Sequence, residues 1–184
     1  MTFVSFVIDV HRALSQAHVA HAFGGALALG FIAEPRGTVD VDVNVFTPIV
    51  ELSAVLETLS TMSLEPELRS EQWVPVAGIR LRGGTGTYPV DLFPSVDERY
   101  AEIAGRCVAH PFGLDKVTLP FLSAEDLALF KLSFGRDKDW VDLRAIASAR
   151  PDLDADYVER QLVGLRGPSM YPRLARLRRL LREG

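Results

Sequence analysis

The sequence predicts an α/β (α+β) fold: a core of strands and helices over residues 1–122, then a helical part over residues 123–184. Three observations predict it. Asp40-Val41-Asp42-Val43-Asn44-Val45 alternates polar and apolar residues, the period of a strand with one face in a core. Helical stripes flank that strand: Phe3, Val7, Val10 and Leu14 before it, then Val50, Leu52, Val55, Leu56, Leu59 and Met62 after it. Composition shifts at Ser123, and almost every later segment reads as helix.

Taken in order, residues 3–18 carry the first stripe and predict a helix. Ala20–Phe23 is a short strand that runs into Gly24-Gly25, and Ala26–Phe31 reads as helix. The Asp-x-Asp strand is reached through a loop holding Pro35, Arg36 and Gly37, and Pro48 sits where the next helix would begin. Trp73–Leu81 is strand-like, with Ile79 and Leu81 alternating against Arg80 and Arg82. Gly83-Gly84-Thr85-Gly86 predicts a turn, and Tyr88–Phe93 the returning strand. Ser95-Val96-Asp97-Glu98 has a capping-box pattern that would open a helix to about residue 104. Residues 106–121 read as a β-rich connector punctuated by proline and glycine. Ser123 suits an N-cap, with Glu125 and Asp126 in the first turn. Leu127, Phe130 and Leu132 form its apolar side, with Lys131 among them. A second helix follows Gly135, with Trp140, Leu143, Ile146 and Ala147 as its buried side, and residues 154–165 and 170–182 make two more.

The composition is that of a globular protein, with 48% hydrophobic and 24% charged residues. A net charge of −4 excludes a global basic field for nucleic acid, so contact with one would need a local patch. The single cysteine, Cys107, excludes an internal disulfide and a cysteine-built zinc site. It fits a cytoplasmic location and is expected to be buried and inert. The N-terminus has no basic leader and interrupts its apolar run with Asp9 and His11, so no signal peptide and no membrane span are expected.

Asp40 and Asp42 fall on one face of the predicted strand. Two carboxylates so close repel unless a cation lies between them, and Asp-x-Asp is a compact oxygen pair for Mg²⁺. A solvated polar face explains the same pattern. Asp91, within Val90-Asp91-Leu92, is a candidate third carboxylate or a lone exposed aspartate. Gly24-Gly25, between a strand and a helix N-terminus, suits a phosphate seat, as it does an ordinary tight turn. The local string GGALALG is not a dinucleotide fingerprint.

The ordered set of Gly24-Gly25, a helix, Arg36-x-Thr38-x-Asp40-x-Asp42 and Asp91 resembles the nucleotidyltransferase superfamily built on the DNA polymerase β-like palm. The later string EDLALFKLSFGRDKDWVDL resembles a recurring helix-turn-helix of the AbiEii/MenT-type nucleotidyltransferase toxins and their relatives. The resemblance spans roughly residues 20–150. It implies a mixed sheet flanked by helices as the core over 1–122, a helical subdomain over 123–184, and NTP-dependent nucleotidyl transfer. By that resemblance Asp40, Asp42 and Asp91 would bind Mg²⁺ (or Mn²⁺), and with Lys131 form the catalytic set. Gly24, Gly25, Arg36, Thr38, Lys131, Lys138 and Asp139 would lie at the NTP. Gly24-Gly25 would seat phosphate, Lys131 would neutralise triphosphate charge, and Arg36 would clamp phosphate or brace its loop. Asp139 and Asp142 either lie near the nucleotide or pair with Arg136 and Lys138. Many superfamily members carry Gly-Ser where this chain has Gly24-Gly25; a hydroxyl contact is lost, and Gly-Gly points toward the toxin-like subgroup. The implied acceptor is the 3′ end of tRNA, and the implied partner an antitoxin. Modification of an antibiotic or other small molecule is the alternative enzyme reading, and a non-catalytic nucleotide-binding or interaction module the third.

The segment RGPSMYPRLARLRRLLREG sets six arginines against Glu183, with Leu174, Leu177 and Leu181 on one stripe. It reads as a solvated helix face or as a local basic patch for RNA or an acidic partner. His18, His21 and His110 lack metal-ligand spacing, and no serine or cysteine nucleophile motif is present.

Overall fold

The computed structural model describes residues 1–68 and 78–183. It contains a mixed seven-stranded sheet and eight α-helices among those residues, divided between two compact units.

The first unit comprises Met1–Gly24 and Gly37–Phe121 and holds the whole sheet. Its strands are β1 (His21–Phe23), β2 (Val41–Pro48), β3 (Glu65–Pro66), β4 (Ile79–Arg82), β5 (Val90–Ser95), β6 (Val108–Phe112) and β7 (Val117–Phe121). They lie in the order β3-β4-β5-β2-β1-β7-β6. β2 pairs parallel with β5 and β1 parallel with β7, while the other four pairings are antiparallel. The predicted alternation of β2 is present: Val41, Val43 and Val45 are fully buried, as are Val90 and Leu92 of β5 and Leu81 of β4. Against this core pack α1 (Phe3–Gln16), through Phe6, Val7, Val10 and Leu14, and α3 (Leu52–Ser60), through Leu52, Val55 and Leu59. Full burial of each such side chain contributes about 1.5–3 kcal/mol of hydrophobic stabilisation before entropy is counted.

Several local expectations give way to tertiary context. β2 runs on through Pro48, and a 3-10 turn at Ile49–Glu51 precedes α3, so Val50 is not in the core stripe but is 85% exposed. Ser95 ends β5 and does not cap a helix; α4 begins at Tyr100 and ends at Gly105. The connector of residues 106–121 folds as the β6–β7 hairpin around a turn with positive φ at Gly113 and Lys116. Of the predicted strand Trp73–Leu81, residues 73–77 lie outside the described residues, and Ile79–Leu81 belong to β4. Cys107 is half-buried, and its Sγ lies 3.5 Å from the Ile103 carbonyl.

The second unit comprises Gly25–Arg36 and Leu122–Gly184. It holds α2 (Gly25–Ile32), α5 (Ala124–Phe134), α6 (Asp137–Ala149), α7 (Ala155–Arg166) and α8 (Tyr171–Glu183). Ser123 caps α5, its Oγ accepting from the Asp126 N–H at 3.1 Å, and Asp154 caps α7, accepting from the Tyr157 N–H at 2.9 Å. α5 ends on Gly135, whose φ of +66° is the left-handed conformation that glycine adopts without strain. Trp140, Leu143, Ile146 and Ala147 of α6 are buried as the stripe predicts. Among the described residues no helix is long and apolar enough to cross a membrane.

Candidate active site

Strand register builds the site. On β4 and β5, Arg80 is the direct partner of Asp91; on β5 and β2, Asp91 is the direct partner of Asp42. The Gly24 N–H, at the end of β1, donates to the Asp42 carbonyl at 2.9 Å. Cross-strand partners project from the same face of a sheet. Arg80, Asp91 and Asp42 therefore form a polar row on the face opposite the buried valines, ending at Gly24. Asp40 lies just before β2, two residues from Asp42.

Arg80 is the centre of this row. Its Nη1 donates to both carboxylate oxygens of Asp91, at 3.0 and 2.8 Å, and its Nη2 donates to Asp40 Oδ1 at 2.6 Å. Desolvation works against the charged guanidinium, but the hydrogen bonds and charges of Asp40 and Asp91 outweigh it and raise its pKa above the ordinary arginine value. Glu67 stands beside β4: its carboxylate pairs with Arg82 and approaches Arg80 Nε at 4.0 Å. Thr38 shapes the entry to β2. Its hydroxyl donates to the Asp40 carbonyl at 3.1 Å and accepts from the Asp40 N–H at 3.2 Å.

Among the described residues no three histidine, cysteine or carboxylate side chains are gathered closely enough to hold a metal ion. The donor chemistry nevertheless fits a hard divalent cation. Asp40 and Asp91 already converge on one cationic group, the Arg80 guanidinium, and Asp42 is the register neighbour of Asp91. The guanidinium is a stand-in cation for the carboxylates.

Gly25 opens α2 with φ of +52°, a conformation that costs an L-residue about 1–2 kcal/mol. This accounts for a glycine at position 25. The Gly24 amide is already bonded to the Asp42 carbonyl.

The helical unit holds a separate buried ion cluster. Lys131, 8% exposed, sets its Nζ 2.7 Å from Asp142 Oδ2 and 3.5 Å from Asp139 Oδ1. Arg36 clamps Asp142 with two hydrogen bonds, Nε to Oδ1 at 2.9 Å and Nη2 to Oδ2 at 3.0 Å. Arg136 does the same to Asp139, at 2.8 and 3.2 Å, while its own N–H donates to Asp139 at 3.0 Å. Burial favours the neutral Asp142 carboxyl, but the bonds from Arg36 and Lys131 prevail and lower its pKa. Both aspartates are thus ion-paired inside this unit, Asp142 to Arg36 and Lys131 and Asp139 to Arg136 and Lys131. Lys138, expected as a partner or nucleotide contact, is exposed on α6.

Most arginines of α8 are engaged at home. Arg173 donates to the Leu132 and Ser133 carbonyls at 2.6 and 2.8 Å, closing the end of α5. Arg176 stacks on Trp140 at 3.9 Å, and Arg178 bonds Asp156 and Glu159.

Sequence reading overlooked three features. Arg80 and Glu67 join the acidic row through strand register; the signal available was the hairpin that places Arg80 opposite Asp91. The third is a histidine pair: His11 Nδ1 lies 3.0 Å from His21 Nε2, and His21 Nδ1 lies 2.8 Å from the Val19 carbonyl. That second bond assigns the Nδ1 proton to His21, so His11 donates to Nε2. Burial lowers both pKa values.

No family model and no curated protein matches the chain. Solved structures do. The chain is similar to a solution structure of the antibiotic-resistance factor ANT(2'')-Ia, at 17% identity and TM-score 0.62, over 94% of this chain and 95% of that one. It is also similar to a crystal structure of ANT(2'')-Ia in complex with adenylyl-2''-tobramycin, at 16% identity and TM-score 0.60, over 90% and 98%. A third likeness is to the lincosamide antibiotic adenylyltransferase LnuA with lincomycin bound, at 12% identity and TM-score 0.51, over 80% and 96%. At these identities the likeness is one of architecture, and the chain has the fold of the nucleotidyltransferases.

Proposed function

We propose that the chain transfers a nucleoside monophosphate from an NTP to a hydroxyl of a small-molecule acceptor. The observation that carries this reading is the row of Asp42 and Asp91 on adjacent strands, with Asp40 beside them and Gly24 at its end, within a nucleotidyltransferase fold. Carboxylates in that arrangement suit the holding of Mg²⁺, which when bound supplies charge stabilisation for an in-line displacement at the α-phosphate. Asp91, half-buried on β5, is also the residue proposed to take the proton of the attacking hydroxyl.

Two observations support a small acceptor. ANT(2'')-Ia is seen with adenylyl-2''-tobramycin and LnuA with lincomycin. RNA would need a surface of uncommitted arginines or lysines, and three of the six arginines of the C-terminal segment, Arg173, Arg176 and Arg178, are committed to a carbonyl cap, an indole ring and two carboxylates. The tRNA acceptor and antitoxin partner implied by the toxin-like string find no support in the geometry. The test is transfer of label from each α-labelled NTP to aminoglycosides, lincosamides and total tRNA, with Asp42→Asn beside the wild type. Label on a small molecule supports the reading, and label on tRNA alone replaces it with the toxin reading.

A further inference from the structure

Arg80 satisfies the charge of the acidic row in a way that bears on how a divalent cation could enter. Its guanidinium bonds Asp91 through both oxygens and Asp40 through one, at 2.6–3.0 Å. These are charge-assisted bonds in good geometry, shared between two carboxylates that repel each other without it. Arginine remains protonated at every accessible pH, so the guanidinium leaves by moving, not by losing charge. The surroundings provide somewhere to move: Arg80 is about one-third exposed, and Glu67 lies 4.0 Å from its Nε on the side away from Asp91. A guanidinium lodged between the two carboxylates fills the space and neutralises the charge on which a divalent cation would draw.

We propose that Arg80 is a resident counter-ion of the nucleotide-free protein. It holds the Asp40–Asp91 seat against divalent cations until an NTP brings the metal with it, and it then swings out toward Glu67 or the incoming phosphates. The inference rests on the transferase reading for the purpose of the seat. The competition itself is a property of the free protein and needs neither NTP nor acceptor. One consequence is that metal and nucleotide bind interdependently: free Mg²⁺ binds weakly, whereas the metal–NTP complex supplies anionic oxygens that re-satisfy Arg80.

The probe is Mn²⁺ alone, followed by the loss of its free-ion electron paramagnetic resonance signal on titration with nucleotide-free protein. Wild type, Arg80→Met and Arg80→Met/Asp40→Asn are compared, with circular dichroism of each to establish folding. Methionine keeps the apolar stem and removes the charge. Loss of two part-buried ion pairs predicts that Arg80→Met binds Mn²⁺ about tenfold more tightly than wild type, and that Asp40→Asn removes most of the gain. Equal or weaker binding by a folded Arg80→Met overturns the inference, as does failure of both proteins to bind. If Arg80→Met does not fold, nitrogen-15 spectra of wild type decide. The Arg80 Nη rotation should be slow in the free protein and accelerate or shift when the Mg²⁺ complex of a non-hydrolysable ATP analogue is added. Unchanged Arg80 signals with saturating analogue overturn it. Failure of the transferase reading would show separately, as absence of label transfer with the Mn²⁺ competition intact.

Discussion

Replacing Asp142 by asparagine tests whether the buried cluster of the helical unit is structural. Asp142 is 2% exposed and accepts from Arg36 through both oxygens while Lys131 Nζ lies 2.7 Å away. Wild type sets these two carboxylates among Arg36, Lys131 and Arg136, and the variant leaves only one of them charged. Arg36 is 40% exposed and can turn to water, but Lys131 at 8% cannot, and its remaining carboxylate, Asp139, is 3.5 Å away and already clamped by Arg136. Breaking one partner of a buried pair costs about 3–5 kcal/mol. In a chain of this length each kcal/mol moves the unfolding midpoint by about 2–4 °C, so a fall of roughly 6–20 °C is expected. Thermal unfolding followed by circular dichroism at pH 7 measures it. The pH dependence supplies a second signature. Because the folded pKa of Asp142 is depressed, its stabilisation is present above the unfolded carboxyl value, about 3.9, and is lost as pH falls through the folded value. Wild-type and variant stabilities should therefore converge below about pH 4. A loss under about 1 kcal/mol, or curves that stay parallel into acid, would refute the structural assignment.

Other outcomes follow from single contacts. Gly135→Ala forces a Cβ to within 2.7 Å of the Arg173 guanidinium at a φ of +66°, so it should destabilise by at least about 1–2 kcal/mol in urea unfolding. Arg173→Leu leaves the Leu132 and Ser133 carbonyls without their donor and should lower stability by about 1–3 kcal/mol, with no change in nucleotide binding. The His11–His21 pair has depressed folded pKa values, so its contribution is complete above about pH 6.5 and is lost as pH falls below that value toward the folded ones. His11→Gln should flatten the stability profile between about pH 7 and 5, measured by denaturant midpoints at each pH.

How much of this was legible in the sequence depends on the range of the interaction. The Asp40–Val45 alternation names its own buried face, because strand parity is local, and the valines are indeed buried. The C-terminal helices carry their caps and stripes within a few residues, and α5 to α8 lie close to where the pattern puts them. The β6–β7 hairpin is not local in this sense. None of residues 108–112 is buried and three are exposed, so their composition lacks the apolar alternation that marks a strand with one face in a core. Ser95 has a cap pattern, but pairing with Pro48 keeps it in β5. The counter-ion role of Arg80 is set by register across three strands, and the clamp of Arg36 on Asp142 spans 106 positions in the chain. Neither is visible from spacing.

The central claim is tested most directly by incubating purified protein with Mg²⁺, α-labelled ATP and a mixed panel of aminoglycosides and lincosamides, with Asp42→Asn run in parallel. The account predicts label on a small-molecule hydroxyl with wild type, and a loss of about 10³-fold or more in Asp42→Asn, the several kcal/mol that metal-borne charge stabilisation supplies. Equal transfer by the two proteins would contradict it, as would no transfer from any NTP to any acceptor by a folded wild type that binds nucleotide.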